Sequence, residues 1–259
     1  MADDQKAQEL RCEQDGNVLV VTIDRPEARN SVSPAVASGM EEALDRLEAD
    51  DELTVGVVTG AGGYFSAGMD LRAFAAGERP FTERGGFAGI VERRTSKVLI
   101  AAIEGFALAG GLEIALACDL IVAARGARLG IPEVKVGLVA AGGALLNLPR
   151  RIPYHLAMEM ALTGEPISAE KARDLGLVNR LADPGDALEI ALVLAREVAA
   201  NAPLALAASK RTIVESRDWI AAEEWTRQAE LAEPVFGSAD ATEGARAFVE
   251  RRPPSWRGA

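Results

Sequence analysis

Two glutamates stand in apolar stretches, where the charge of a carboxylate is costly to keep. Glu113 lies in the run GGLEIALA, and Glu133 lies in GIPEVKVG. Between them the sequence predicts a short strand, DLIVAA, and a turn at Gly126, a connection that can bring both side chains to the same end of a sheet. Each residue also has a simpler interpretation: Glu113 as a first-turn glutamate that complements a helix dipole, and Glu133 as a surface carboxylate after a proline turn.

Backbone N–H groups near Glu113 favour a catalytic role over these simpler interpretations. Gly110 is predicted to begin a helix, where its N–H has no intrahelical partner and no side chain in front of it. The loop SAGMD, residues 66–70, offers a second N–H at Met69. Two such donors can hold a carbonyl oxygen that gains negative charge. Together with two carboxylates, they suit the transfer of protons or water next to a carbonyl group.

Other catalytic chemistries lack their residues in this chain. His155 is the only histidine, so a metal site or a Ser-His-Asp triad is not expected, and we interpret it as structural. The segment TGAGGYFSAGMDL follows a predicted strand, but Phe65 stands where a dinucleotide-binding fingerprint needs its third glycine. We therefore expect neither a metal nor a separate cofactor.

Composition restricts the possible partners and the compartment. The chain has 259 residues, 49% of them hydrophobic, and a formal net charge of -11. An acidic chain repels phosphate backbones, so we expect no nucleic-acid partner, and an anionic small ligand would need a local basic patch. Cys12 and Cys118 form no CxxC pair, and the start MADDQKAQEL is too polar for a signal peptide. We expect a reduced, cytoplasmic protein without a membrane partner.

The elements that must position these groups indicate an α/β fold. Short, continuously apolar runs are typical of strands that are buried on both faces, and they occupy 17–23, 53–59, 98–104 and 119–124. Ser33 and Pro34 predict a helix start between the first two runs. The glycine-rich, charged segment 77–94 is expected to be a mobile flap or a short helix.

The last third of the chain is predicted to be mostly helical, with its final helices at 203–217, 219–236 and 239–251. We divide the chain into a core domain, 1–200, and a helical C-terminal region, 201–259, used for packing or assembly. The alternative is that these helices simply continue the core.

Several motifs together resemble the enoyl-CoA hydratase/isomerase, or crotonase, superfamily over roughly residues 10–252. They are TGAGGYFSAGMDL, IAAIEGFALAGGLEIALACDLIVAA, LGIPEVKVGL and ALTGEPISAEKARDLGLVNRL. The resemblance implies a spiral of ββα turns followed by a helical trimerisation region. It also implies a homotrimer, or a hexamer formed from two trimers.

The resemblance assigns roles to the residues singled out above. Met69 and Gly110 match the two oxyanion-hole donors, which would bind the thioester oxygen of an acyl-CoA. Glu113 and Glu133 match the two hydratase glutamates, of which Glu133 would move the proton between water and C2. Family isomerases usually keep only the later glutamate, so the pair implies hydration of a trans-2-enoyl-CoA in fatty acid β-oxidation.

Further residues match segments that line the coenzyme A and substrate pocket: Arg25, Ala28, Ala67, Gly68, Asp70, Leu71, Arg72, Gly111 and Ala141. Arg25 or Arg72 would supply positive charge for the phosphates, unless these arginines are ordinary surface charges. The chain departs from the family pattern at Ala109 and at Ala141, where glycine is usual.

Three hypotheses stay open at this point. The first is a 2-enoyl-CoA hydratase. The second is another reaction of the family, either double-bond isomerisation or dehydration of a hydroxyacyl thioester such as carnitinyl-CoA. The third is a non-catalytic oligomeric protein on the same fold that binds RNA, against which the net charge of -11 argues.

Overall fold

The computed structural model describes residues 9–259, so the polar start of the chain, where no signal peptide is expected, lies mostly outside the described residues. The strands are β1 (Leu10–Asp15), β2 (Val18–Ile23), β3 (Val55–Gly60), β4 (Phe81–Thr82), β5 (Gly86–Phe87), β6 (Val98–Ile103), β7 (Phe106–Leu108), β8 (Leu120–Ala124), β9 (Arg128–Gly130), β10 (Ile167–Ser168) and β11 (Arg180–Ala182). The α-helices are α1 (Pro34–Ala49), α2 (Leu71–Ala75), α3 (Gly110–Ala117), α4 (Ala144–Arg151), α5 (Tyr154–Thr163), α6 (Ala169–Asp174), α7 (Ala187–Ala199), α8 (Pro203–Glu215), α9 (Glu224–Phe236) and α10 (Ala239–Glu250). Short 3-10 helices span Pro26–Ala28, Pro132–Val136 and Ser216–Asp218.

A six-stranded sheet in the order β1-β2-β3-β6-β8-β11 forms the centre of the fold. Its four inner strands, β2, β3, β6 and β8, pair in parallel, and they are the four apolar runs of the sequence. Every residue of β2 and β6 is buried, because helices cover both faces of the sheet. Alanines of α7 pack on one face, and apolar residues of α1 pack within the larger core cluster on the other.

The parallel order places the two site-forming segments side by side. β3 and β6 are neighbours in parallel, so their carboxyl ends lie at the same edge of the sheet. The chain leaves β3 into the loop that contains residues 66–70, and it leaves β6 through β7 into α3. Ligand sites of open parallel sheets occur at this edge. A small sheet in the order β10-β9-β7 extends the structure beside it.

Local chemistry explains where the first helix begins. The Ser33 hydroxyl accepts a hydrogen bond of 3.2 Å from the N–H of Val36, and Pro34 occupies the first helical position. This is the predicted cap, which satisfies one of the N–H groups that a helix start leaves free.

Two elements differ from the sequence-based expectations. β1 pairs antiparallel with β2 but was not predicted, because its exposed residues are polar and charged, as is common in edge strands. The expectation of a short helix within 77–94 is wrong: the segment forms the hairpin β4–β5 and a series of turns, and residues 85–90 are buried. Its glycines favour turns over a helix.

Residues 203–250 are mostly helical, with a first helix close to the prediction and a second that begins five residues later than expected, at Glu224. Within residues 9–259, no single helix is long and apolar enough to cross a membrane. One bent pair, Ala187–Ala199 with Pro203–Asp218, passes that test by length and composition, with a bend of 106°.

Candidate active site

Glu113 is held inside a helix that is apolar on every side. Residues 110–116 of α3 are all buried, and Glu113 itself is only 5% exposed. One carboxylate oxygen accepts a hydrogen bond of 3.2 Å from the N–H of Ala144. Burial, reinforced by the charge of Glu133, raises the pKa of Glu113 to about 7. The group can therefore exchange a proton near neutral pH, as a general acid or base requires.

Glu133 completes a carboxylate pair at the same place. It lies in the 3-10 helix Pro132–Val136, is 9% exposed, and has a pKa raised by burial. Its Oε2 is buried and has no hydrogen-bond partner among residues 9–259. A buried carboxylate oxygen without a partner is costly unless function uses it. The simpler interpretation of Glu133 as a surface carboxylate is therefore wrong, and the predicted meeting of the two glutamates is observed.

The loop that follows the 3-10 helix shapes the surroundings of Glu113. A Cβ on Gly142 would lie 2.5 Å from the Glu113 Oε2, so only glycine fits there without displacing the carboxylate. The backbone of Gly142, which lies against this carboxylate, lowers the pKa of Glu113 against the effect of burial. Ala141 lies next to it, exposed and at the wall of the cavity. Sequence reasoning missed Gly142, although the paired glycines 142–143 before a helix were a usable signal.

The loop that carries one predicted oxyanion donor, Met69, is in close backbone contact with the helix start that carries the other, Gly110. Gly68 has φ +85°, and a Cβ there would lie 2.6 Å from the backbone nitrogen of Gly110. Met69 is fixed by a bridge to Val32, whose backbone bonds both neighbours of Met69. Within residues 9–259, the N–H groups of Met69 and Gly110 donate to no acceptor. Both are thus available to a carbonyl oxygen in the cavity.

A buried polar network fixes the loop of Met69. The Ser66 hydroxyl donates to the Asn30 carbonyl oxygen at 2.7 Å and accepts from the Gly68 N–H at 3.1 Å. The Asn30 side chain donates to the carbonyl oxygens of Ala61 and Tyr64 at 2.8 Å each. The contacts of Asn30 join residues more than 30 positions apart in the sequence, so no local pattern indicated them.

A cavity of about 660 Å³ connects the carboxylates with the donors, and its surface is mostly apolar. It is lined by Ala67, Met69, Leu71, Phe74, Arg79, Phe81, Phe87, Ala109, Gly110, Glu113, Pro132, Glu133, Lys135, Val136, Leu138, Val139, Ala141 and Gly142. The size lies within the roughly 300–1,000 Å³ typical of small-molecule sites. An acyl thioester placed there would meet both donors and both carboxylates.

The other predicted pocket residues fall into different environments. The Arg25 guanidinium pairs with Asp70 at 3.1 Å and donates to the Ser31 carbonyl oxygen at 2.7 Å, so its charge is engaged inside the protein. The Asp70 carboxylate also caps α2. Arg72 is exposed and remains accessible to a phosphate group.

Three more of these residues are small. Ala67 lies at the cavity wall, and Ala28 is half-buried. Gly111 is buried, and a Cβ there would lie 2.2 Å from the Ser66 carbonyl oxygen, so its role is close packing of α3 on the loop.

Cys118 and His155, for which the sequence predicts no catalytic role, lie away from the candidate active site. Burial raises the pKa of the Cys118 thiol to about 12, as expected for an unreactive core cysteine. His155 is exposed on α5 with its ring against Tyr154. Residues 9–259 contain no group of three or more His, Cys, Asp or Glu side chains that could hold a metal ion.

Comparisons with known proteins agree with this geometry. Residues 13–259 match the sequence profile of the enoyl-CoA hydratase/isomerase family. The chain belongs to this family, and it has the crotonase fold that the motifs implied.

Individual relatives match along nearly the whole chain. A carnitinyl-CoA dehydratase of Salmonella arizonae is 40% identical over 97% of this chain and 99% of its own length. The enoyl-CoA hydratase EchA19 of Mycobacterium tuberculosis is 39% identical, with 99% of each chain covered. The crystal structure of enoyl-CoA hydratase EchA1 from Mycobacterium marinum superposes with a TM-score of 0.96 at 56% identity, over 98% of this chain and 100% of that one. The relatives are named as enzymes that add or remove water, which confirms the prediction of a hydro-lyase.

Proposed function

We propose that the protein is an enoyl-CoA hydratase that adds water reversibly across the double bond of a trans-2-enoyl-CoA. The observation that carries the proposal is the carboxylate pair, Glu113 and Glu133, buried in one cavity with two free backbone donors. The nearby cavity surface is apolar, as an acyl chain requires. The name of the Mycobacterium tuberculosis relative supports the same activity.

In this mechanism, the Met69 and Gly110 N–H groups donate to the thioester oxygen. They stabilise the negative charge that develops there when the oxygen of water bonds to C3. The electron pair of the C2–C3 double bond moves toward the carbonyl, which gives an enolate-like thioester. The carboxylate pair accepts one proton of the water and delivers one proton to C2, while the other hydrogen of the water stays on its oxygen as the new C3 hydroxyl, so the pair ends the turnover with as many protons as it began with.

The carboxylate pair needs one protonated and one ionised member for this exchange. Burial raises the pKa of both groups, and that of Glu113 reaches about 7, so near neutral pH the pair can hold a single shared proton. We assign delivery of the C2 proton to Glu133, whose Oε2 lacks a protein partner among residues 9–259. Glu113, held by the Ala144 N–H, orients the water.

The proposal is tested by following the loss of the conjugated thioester absorbance of crotonyl-CoA. Glu133→Gln keeps the shape of the side chain but cannot deliver the proton, so kcat should fall by about 10²–10⁴-fold while acyl-CoA binding survives. Glu159→Gln, an exposed glutamate of α5, is the matched control and should retain full activity. Full activity of Glu133→Gln would contradict the assignment.

A second candidate is dehydration of a hydroxyacyl thioester, favoured by the name of the Salmonella relative. It uses the same groups in the reverse direction, so the carboxylate pair does not distinguish the two reactions. Isomerisation is less well supported, because it needs one carboxylate and the cavity holds two.

The pathway, the cellular compartment and the assembly of the chains form part of the same proposal. We propose action in fatty acid β-oxidation in the cytoplasm, with Arg72 meeting a phosphate of coenzyme A. We also propose a core domain over 1–200, with the region 201–259 used for assembly into a homotrimer or hexamer. Large exposed apolar side chains in that region support this part: Ile213, Ile220, Trp225, Phe236, Phe248 and Val249.

A further inference from the structure

The charge of the acyl group separates the two activities that the relatives' names suggest. A carnitinyl thioester carries a quaternary ammonium at the end of its acyl chain, whereas an ordinary enoyl thioester is neutral there. The ionised side chains that line the cavity are therefore informative about the substrate.

The charges of the cavity wall disfavour a cation. Its acidic residues are Glu113 and Glu133, which the proposed reaction already uses, and its basic residues are Arg79 and Lys135. Lys135 pairs with Glu165 at 2.6 Å, outside the lining. A quaternary ammonium inside the cavity would meet the like charge of Arg79 and no carboxylate that is free of the chemistry. Arg79 is exposed, so solvent screens this repulsion, but the repulsion still acts against a cation held within a few ångströms of the guanidinium.

Each aromatic ring that lines the cavity already has a partner at one face or edge, whereas aromatic cages bind an ammonium group with rings that turn their faces toward it. The Arg79 guanidinium lies 4.1 Å from the centroid of the Phe74 ring, held by hydrogen bonds to the carbonyl oxygens of Phe74 and Glu78. Phe81 and Phe87 meet edge to face with centroids 5.5 Å apart. A Cβ on Gly110 would lie 2.4 Å from the Phe87 ring, which places this ring against the oxyanion glycine.

The rest of the cavity wall consists of aliphatic side chains, and the cavity has space for an acyl chain. Leu71, Val136 and Val139 line it and are about half exposed, so an acyl chain that covers them removes apolar surface from water. The cavity of about 660 Å³ falls in the range of sites for drug-sized ligands, well beyond the needs of a four-carbon acyl group.

We infer, on the basis of the proposed hydratase function, that this site takes uncharged apolar acyl chains longer than four carbons and discriminates against a quaternary ammonium. Arg79 is the specificity-determining residue: its guanidinium occupies the Phe74 face and repels a cationic acyl end.

A matched pair of substrates isolates the charge. One is 4-trimethylammonio-but-2-enoyl-CoA, the dehydration product of carnitinyl-CoA. The other is 5,5-dimethylhex-2-enoyl-CoA, in which carbon replaces the ammonium nitrogen at nearly the same shape. We expect kcat/KM to be at least about tenfold higher for the neutral thioester. We also expect kcat/KM to rise from but-2-enoyl-CoA to dec-2-enoyl-CoA.

Two variants test whether Arg79 determines the discrimination against the ammonium group. Arg79→Glu should reduce the preference for the neutral thioester by about tenfold or more, because it replaces repulsion of the ammonium by attraction. Arg173→Glu, an equivalent charge reversal at an exposed arginine of α6 outside the cavity lining, should leave the preference unchanged. Both positions are on the surface, so both variants should fold.

The outcomes separate this inference from the proposed function. Turnover of crotonyl-CoA with equal or better turnover of the ammonium thioester overturns the inference and leaves the hydratase function intact. Turnover of crotonyl-CoA without turnover of the neutral analogue overturns it as well. Failure to hydrate any of these thioesters contradicts the proposed function itself.

Discussion

The carboxyl group of Glu113 is buried where an uncharged side chain would be more stable. Its pKa rises from 4.5 to about 7 on folding, because burial disfavours the charged form. The folded protein then binds this proton more tightly than the unfolded chain. The contribution of this carboxyl group to the free energy of unfolding is fully present below its pKa in the unfolded chain, and it is lost as the pH rises through 7.

Glu113→Gln should therefore become relatively more stable as the pH rises. The amide keeps an oxygen for the Ala144 N–H and has no charge to bury. Relative to the native protein, the variant should gain about 3 kcal/mol of unfolding free energy between pH 4.5 and pH 8 while losing hydratase activity. Urea unfolding of both proteins at pH 4.5 and pH 8, at one protein concentration, measures this gain. A difference that does not change with pH would contradict the burial of this charge.

Ala109 occupies a backbone conformation that suits glycine. Its φ is +51° and its ψ is -129°, close to the first central position of a type II′ turn. A side chain there costs on the order of 1–3 kcal/mol, against a gain of roughly 0.5–1 kcal/mol from the smaller entropy of the unfolded chain. Ala109→Gly should thus raise the unfolding free energy by about 1 kcal/mol. Thermal unfolding should show a higher Tm, whereas a lower Tm would show that the strain is relieved elsewhere.

The sequence revealed the residues to which we assign the reaction, but it did not reveal the residues that hold them in place. Glu113, Glu133 and Gly110 were visible because a carboxylate or a glycine is unusual in an apolar context. Gly142 and Asn30 act through contacts with residues far along the chain, so even the glycine pair at 142–143 does not reveal which carboxylate it touches. Such partners become visible only when the fold is known.

At the scale of elements, the site depends on how closely the loop 138–143 approaches α3. The nearest backbone position, Gly142, leaves no space for a methyl group beside the Glu113 carboxylate. Any displacement of that carboxylate changes its distance to the water that we propose it orients. Misplacement by about 1 Å can cost on the order of 10²-fold in rate.

Gly142→Ala should consequently reduce kcat by about 10²-fold, with a smaller effect on KM. Gly39→Ala in α1 is the control: its new Cβ would meet Leu10 at an ordinary 3.6 Å, and alanine favours a helix. The control should keep full activity with equal or higher stability. Steady-state kinetics and thermal unfolding of both variants provide the measurement, and an active Gly142→Ala would exclude this positioning role.

Elements with an internal hydrophobic pattern were predictable, and those defined by their neighbours were not. The four inner strands and α1 follow from apolar runs and a cap. β1 has a polar sequence and is a strand because β2 offers it an unpaired edge. The turn between them contains Gly16 with φ +60°, followed by Asn17, and such a pair between two strands is a hairpin signal that could have revealed β1.

At the scale of the whole molecule, the C-terminal helices leave large apolar side chains in contact with solvent. Trp225, Phe236 and Phe248 are each more than three-quarters exposed. Fully burying one such side chain contributes about 1.5–3 kcal/mol. Association of chains through this surface is the simplest way to remove it from water.

Sedimentation velocity should therefore show a species of about three or six times the 27.3 kDa chain mass. Phe248→Asp should shift it toward the monomer, because a carboxylate would replace an apolar contact at an interface. Gln14→Asp, at an exposed polar position of β1 outside the C-terminal region 201–259, should not. A native chain that sediments as a monomer at all concentrations would exclude the proposed assembly.

The oxyanion donors that we propose, the N–H groups of Met69 and Gly110, belong to the backbone, and this has an evolutionary consequence. A substitution at position 69 changes the wall of the cavity but leaves the donated N–H in place, because the bridge to Val32 fixes the main chain there. Descendants of this gene can therefore explore new acyl groups at position 69 one mutation at a time without first losing the reaction. The neighbouring Gly68 has no such freedom, since any side chain there would meet Gly110. Two adjacent positions thus differ in the substitutions that they tolerate: position 69 can change during evolution, whereas position 68 must stay glycine.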